Sequence, residues 1–264
     1  MIPRRTLAAL LLLPLAACST PNPSPAPSSS PSAPFDPVKT MAAAASGIEA
    51  GVYGYYVDAP DGSTSHVLVH APSRSADFQI SVKDDDDTFP VQIRVAAGSN
   101  FIKIRFTKAM LRGQSGEAKE VFSGKHWYRL GVKDAGLSDY IVYPENPDPL
   151  GMKRLLAGVT AATGDAETIK GKIDGTKLGT EDPLIGRKTF RSMISGYAIP
   201  FTAVLDDQGR ILKLIVDIPA SLEHKAGRWV FTFDEYGTVK PQPALSGPDV
   251  RKASPSFQRF LLEL

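Results

Sequence analysis

The chain has 264 residues, 42% hydrophobic and 22% charged, a globular balance that excludes collagenous, coiled-coil and wholly disordered chains. Its formal charge of +2 comes from Arg4 and Arg5; beyond residue 17 the basic and acidic side chains number 28 each, which gives no electrostatic footprint for nucleic acid. A single Cys excludes an intramolecular disulfide, so the fold must stand on packing.

Residues 1–17 carry a positive pair, Arg4 and Arg5, followed by an apolar run from Leu7 to Leu15. That is the pattern of an export signal, and it is too short to span a bilayer, which takes about 20 apolar residues. The ending Leu15-Ala16-Ala17-Cys18 resembles the lipobox of bacterial lipoproteins, in which a diacylglycerol is attached to the Cys and cleavage makes it the new N-terminus. The plainer reading is an ordinary signal with a chance Cys. The paired arginines do not complete a twin-Arg motif, so the export route stays open. Residues 18–37 read as a tether. Between Thr20 and Pro34, 11 of 15 residues are Pro or Ser. At about 3.1 Å per residue in extended polyproline-like form, this stretch holds the folded part roughly 45 Å from its anchor.

Residues 38–264 form the folded part, and strand patterns dominate it. A short helix is expected over Val38–Ser46. Strands follow at Val52–Val57 and His66–His70 around the turn Ala59-Pro60-Asp61-Gly62, then at Phe78–Lys83, Phe89–Ala96, Asn100–Thr107 and Trp127–Val132. Asp148 as N-cap and Pro149 at the first helical position predict a helix over Pro149–Thr163, with Leu155, Leu156 and Val159 as its apolar stripe. A further strand is expected at Thr168–Ile173 and a third helix over Pro183–Tyr197. Ile199–Leu205 and Arg210–Ile218 form a hairpin around Asp206-Asp207-Gln208-Gly209, and Arg228–Asp234 is the last strand. The class is α+β, an antiparallel sheet with few helices.

Alternation marks one face of this sheet as apolar. Ile102, Ile104 and Phe106 oppose Lys103 and Arg105; Leu212, Leu214, Val216 and Ile218 oppose Lys213 and Asp217; Trp229, Phe231 and Phe233 oppose Thr232 and Asp234. Such a face must be covered by helices, another sheet or a ligand. The C-terminal pattern Asp206, Gly209, Val216, Asp217, Tyr236, Gly237, Pro241 and Pro243, together with the lipobox and the Ser/Pro tether, resembles actinobacterial lipoproteins of the LppX/LprG type. The resemblance implies a LolA-like fold, a curved, half-open antiparallel β-barrel with helices over its concave face. It also implies an apolar cavity for acyl chains of a lipid or glycolipid, carried or presented at the outer face of the cytoplasmic membrane, with an envelope transport partner. The cavity candidates are Ile102, Ile104, Phe106, Leu155, Leu156, Val159, Leu212, Leu214, Val216, Phe231 and Phe233; each is equally suited to plain core packing.

No catalytic motif stands out: there is no Gly-x-Ser-x-Gly elbow, no phosphate-cradling Gly-Lys-Ser/Thr loop and no zinc-type Cys/His cluster. His66 and His70 have a helical metal-pair spacing but fall in a strand, which sets them about 13 Å apart. Asp84–Asp87 offers carboxylates for Ca²⁺ without the spaced ligands of an EF-hand, and reads as an exposed acidic turn. Ser123 and His126 lack an orienting carboxylate. A non-enzymatic protein without cofactor or metal is expected, the alternative being a solid-cored interaction lipoprotein. Replacing Cys18 by Ser is expected to abolish palmitate labelling and release the chain from the membrane fraction. A wild-type chain that takes up no label would exclude lipidation.

Overall fold

The computed structural model describes residues 34–131, 151–177, 198–220 and 226–263. The signal, Cys18, most of the tether, Asp148, Pro149 and the helix expected over Pro183–Tyr197 lie outside the described residues. Phe35–Leu264 forms one compact unit.

Asp36 opens the first helix, α1 (Pro37–Ala44): its carboxylate accepts hydrogen bonds from the Val38 and Lys39 amides, and Pro37 presets the first turn. A one-turn helix, α2 (Ser46–Glu49), follows directly. Six strands then run in a meander: β1 (Val52–Asp58), β2 (Thr64–His70), β3 (Ser75–Asp84), β4 (Asp87–Ala96), β5 (Ser99–Ile104) and β6 (Trp127–Leu130), with α3 (Gly116–Val121) between the last two. The second half comprises α4 (Met152–Ala157), β7 (Val159–Gly164), β8 (Thr168–Asp174), β9 (Ala198–Leu205), β10 (Ile211–Ile218) and β11 (Gly227–Asp234). A short strand, β12 (Val250–Lys252), and α5 (Pro255–Glu263) complete the described elements.

All twelve strands belong to one sheet in the order β12-β6-β5-β4-β3-β2-β1-β11-β10-β9-β8-β7. It is open, with β12 and β7 at its edges, and antiparallel throughout except where β12 runs parallel to β6. The two meanders join at one seam, β1 against β11, where Val57 faces Phe231 and Tyr55 faces Phe233. From there a cross-strand row runs through Ile104, Val91, Ile80, Ser65, Val57, Phe231, Leu214, Ala203 and Ile169, each the register partner of the next. Nine strands therefore contribute to this row on one face, and Ser65 is its only hydroxyl.

Helices cover that face in two groups. The α1 helix packs on β7 and α4, and α2 on β1 and α4, with an exposed ion pair between Glu49 and Lys153. At the other end, Phe257 of α5 meets Phe122 and Tyr128 edge-on at 5.7 and 5.0 Å, and Phe122 stacks on Phe106 at 4.5 Å. The Gly/Ser-rich stretch around residue 115 holds α3, capped by the Ser115 hydroxyl on the Ala118 amide.

Two expectations are corrected. The helix predicted to reach Thr163 ends at Ala157; after Gly158 the β-branched Val159, Thr160 and Thr163 belong to edge strand β7, whose pairing with β8 overrides the helical pattern. The strand expected to reach Thr107 stops at Ile104.

The β9–β10 turn is locked by side chains. Gly209 takes φ 74°, as the turn requires, and Asp206 accepts from the amides of Gln208 and Arg210 at 3.0 and 2.7 Å. Arg210 pairs with Asp206 and lays its guanidinium 4.7 Å from the centre of the Tyr236 ring. Tyr236 donates to the Ile211 carbonyl at 2.8 Å, and burial holds its phenol well above the ordinary tyrosine range. At Asp206 burial alone would raise the carboxyl, but the hydrogen bonds from Arg210 outweigh it and hold the pKa below the ordinary value. The stabilisation is complete above the unfolded pKa of about 3.9 and is lost as pH falls through the lower folded value. Asp206→Asn is expected to cost about 1 kcal/mol at neutral pH. It should also flatten the fall in Tm on acidification below pH 4, as thermal melts from pH 6 to pH 2.5 would reveal.

Candidate apolar site between sheet and helices

The structure gathers most of the predicted apolar residues on one side. Ile102, Ile104, Leu214, Val216, Phe231 and Phe233 lie on the helix-covered face, all fully or almost fully buried. Leu155 and Leu156 reach the same interior from α4. Val159 is buried as predicted, but from strand β7 rather than from a helix.

Two candidates depart from this set. Leu212 is 40% exposed because the β9–β10 register shifts between Ile211 and Lys213; the bulge gives the inward position to Ile211, which faces Leu205 and is fully buried. Strict alternation assigns Leu212 inward, and a one-residue irregularity reverses its face. Phe106 lies beyond the end of β5, half-buried between Phe89 and Phe122, so it belongs to the aromatic cluster under α3 and α5.

The interior at these residues is closed: Leu155, Leu214, Val216 and Phe231 are each 0% exposed. Two clefts lie elsewhere among the described residues. One of about 170 Å³ sits between α3 and α5, floored by Val121, Phe122 and Phe257. The other, about 220 Å³, opens on the opposite sheet face between Gln92, Lys103 and Arg105. Both fall below the 300–1,000 Å³ of ordinary small-molecule pockets. Sequence reasoning missed the first because it did not foresee either helix, although Ser254-Pro255 followed by Phe257 and Leu261 carries a cap, a first-turn proline and an i, i+4 apolar pair.

The polar candidates do not assemble into a catalytic group. The Ser123 hydroxyl donates to the Glu120 carbonyl at 2.7 Å and accepts from the Lys125 amide, so its bonds go to backbone. His70 holds Ser73 through Nδ1 and caps a short turn. His66 instead stacks flat on Tyr56, ring centres 4.1 Å apart. The aspartates from 84 to 87 form the tight β3–β4 turn, with Asp84 paired to Asp87. Trp229 is buried in the core, whereas Trp127 sits on the opposite face with the Lys103 ammonium 4.8 Å from its ring centre.

Among the described residues no helix is long and apolar enough to cross a membrane. A scan against protein-family models finds no match, and a search of curated proteins finds none either.

The β10 bulge gives a sharp test of which leucine is structural. Leu214→Ala is expected to cost about 2–5 kcal/mol and Leu212→Ala less than about 0.5 kcal/mol in denaturant unfolding. Equal losses would mean that the bulge is absent.

Proposed function

We propose that this chain is a lipid-anchored envelope protein. It holds acyl chains of a lipid or glycolipid between its sheet and its helices, and carries or presents them at the outer face of the cytoplasmic membrane. Its sheet is read as a curved, half-open barrel of the LolA kind, tethered through Cys18, and its role as non-catalytic. The observation that carries this reading is the cross-strand row over nine strands, apolar but for Ser65 and covered near the seam, among the described residues, by helices of 4 to 8 residues.

Energetics support admission of a chain at α4. Parting α4 from the sheet exposes Met152, Leu155 and Leu156, at about 1.5–3 kcal/mol each. Relative to water, a sixteen-carbon acyl chain gains roughly 12 kcal/mol by burying about fifteen methylenes at about 0.8 kcal/mol each, which offsets the exposure of those three side chains. The polar latch between α2 and α4, Glu49 with Lys153, is solvent-exposed and contributes about 0–1 kcal/mol. The apolar contacts of Met152, Leu155 and Leu156 are those that a lipid would replace.

A second reading, an interaction lipoprotein with a solid core, draws support from the closed interior around Leu214 and Phe231. The full chain carrying Cys18→Ser separates the two. Under the lipid reading it co-purifies with about one equivalent of extractable acyl lipid and takes up a fluorescent fatty-acid probe. Adding Glu49→Cys and Lys153→Cys and bridging them with a short bis-maleimide is expected to slow uptake at least tenfold relative to the unbridged protein. Absence of both lipid and uptake, bridged or not, would leave the solid-core reading.

A further inference from the structure

The face of the sheet turned away from the helices carries a second feature, at the seam. Gly54 of β1 sits between Leu68 of β2 and Asp234 of β11 in register, and having no side chain it leaves a notch in that face. A Cβ at Gly54 would lie 2.6 Å from Asp234 Oδ1 and 3.5 Å from the Glu235 Cβ. Three metal-ligating side chains, His66, Asp234 and Glu235, converge on the notch, each offering a ligand atom within 4.8 Å of the others.

Two of those groups are enclosed and unanswered. His66 Nε2 and Asp234 Oδ1 are shut off from solvent, and neither has a hydrogen-bond partner. Buried polar atoms in folded proteins are nearly always paired, so two orphans in one notch, an imidazole nitrogen and a carboxylate oxygen, call for a common partner. A cation answers both, because the carboxylate oxygen offers a lone pair and so does Nε2 in the Nδ1–H tautomer. The flat stack on Tyr56 restricts the plane of the imidazole. Tetrahedral bonds of about 2.0–2.1 Å space ligands by about 3.4 Å, so small side-chain rotations suffice to close the group around an ion.

We propose that His66, Asp234 and Glu235 bind one divalent transition cation of the Zn²⁺ type. One imidazole and two carboxylates neutralise it, and water fills the remaining position. The ion would bridge β2 to the β11 end across β1, and so brace the single seam that joins the two meanders. The inference does not depend on lipid binding, and its test is separate.

The probe is Zn²⁺ alone, titrated calorimetrically into chelator-stripped full chain carrying Cys18→Ser, which also removes the only competing thiol. One equivalent is expected to bind and to raise Tm by about 5–10 °C at a hundredfold excess over Kd. His66→Gln and Asp234→Asn each should weaken binding at least tenfold. Gly54→Ala, which fills the notch, should do the same. Glu235→Gln, at an exposed position that tolerates the change, should weaken it several-fold, whereas His70→Gln should leave it intact. Zn²⁺ should also shift the imidazole NMR signals of His66 and not those of His70. No saturable binding by the parent chain overturns the proposal, as does affinity unchanged in both His66→Gln and Glu235→Gln, or lost in His70→Gln.

Discussion

The need to hide one face of a very wide sheet governs this molecule. Strand residues alternate between faces, so nine strands with largely apolar residues in step create a broad surface that water cannot be left to wet. Open sheets rarely exceed about ten strands without curling or splitting, and one covered on a single side must find its cover within its own chain or in a ligand. Here the chain supplies five described helices, none longer than nine residues. The proposed lipid site and the solid-core alternative are two answers to the same constraint.

The cover and the sheet differ in how they are held. Strand pairing secures most residues of the inner strands to two neighbours. The α1, α2 and α4 group is held by apolar contact and by an exposed ion pair between Glu49 and Lys153. At the β9–β10 end the opposite holds: Asp206, Arg210 and Tyr236 tie turn, strand and following loop through charge-assisted and aromatic contacts. The conspicuous C-terminal pattern forms a mechanical clasp, in which its acidic residue, glycine and tyrosine each have a structural part.

The strands were legible in the sequence because strict alternation, bounded by Gly, Pro and Asp turns, is a local signal. The inward faces of β5 and β11 followed from the same alternation. Legibility failed where a non-local partner decides. Val159 and Thr163 look helical in a window of apolar spacing, yet β8 lies ready to pair with them. Leu212 was misplaced by a bulge, which leaves no mark in an alternating run. The notch at Gly54 was invisible for a deeper reason: His66 and Asp234 lie far apart in the chain and meet only because β11 pairs with β1.

The segment after β11 ties back to the first meander. It leaves Tyr236, gives the Gly237 amide to Val52 and the Gln242 amide to Ser75, and reaches Trp127, where β12 lies parallel to β6. The first meander therefore cannot finish when its own residues have been made. Until residues 250–252 are made, β6 lacks the strand that pairs with its outer edge in the finished sheet. Contacts of such long sequence separation also form slowly. The early half of the sheet is thus the part of this chain that most needs protection between translation and completion.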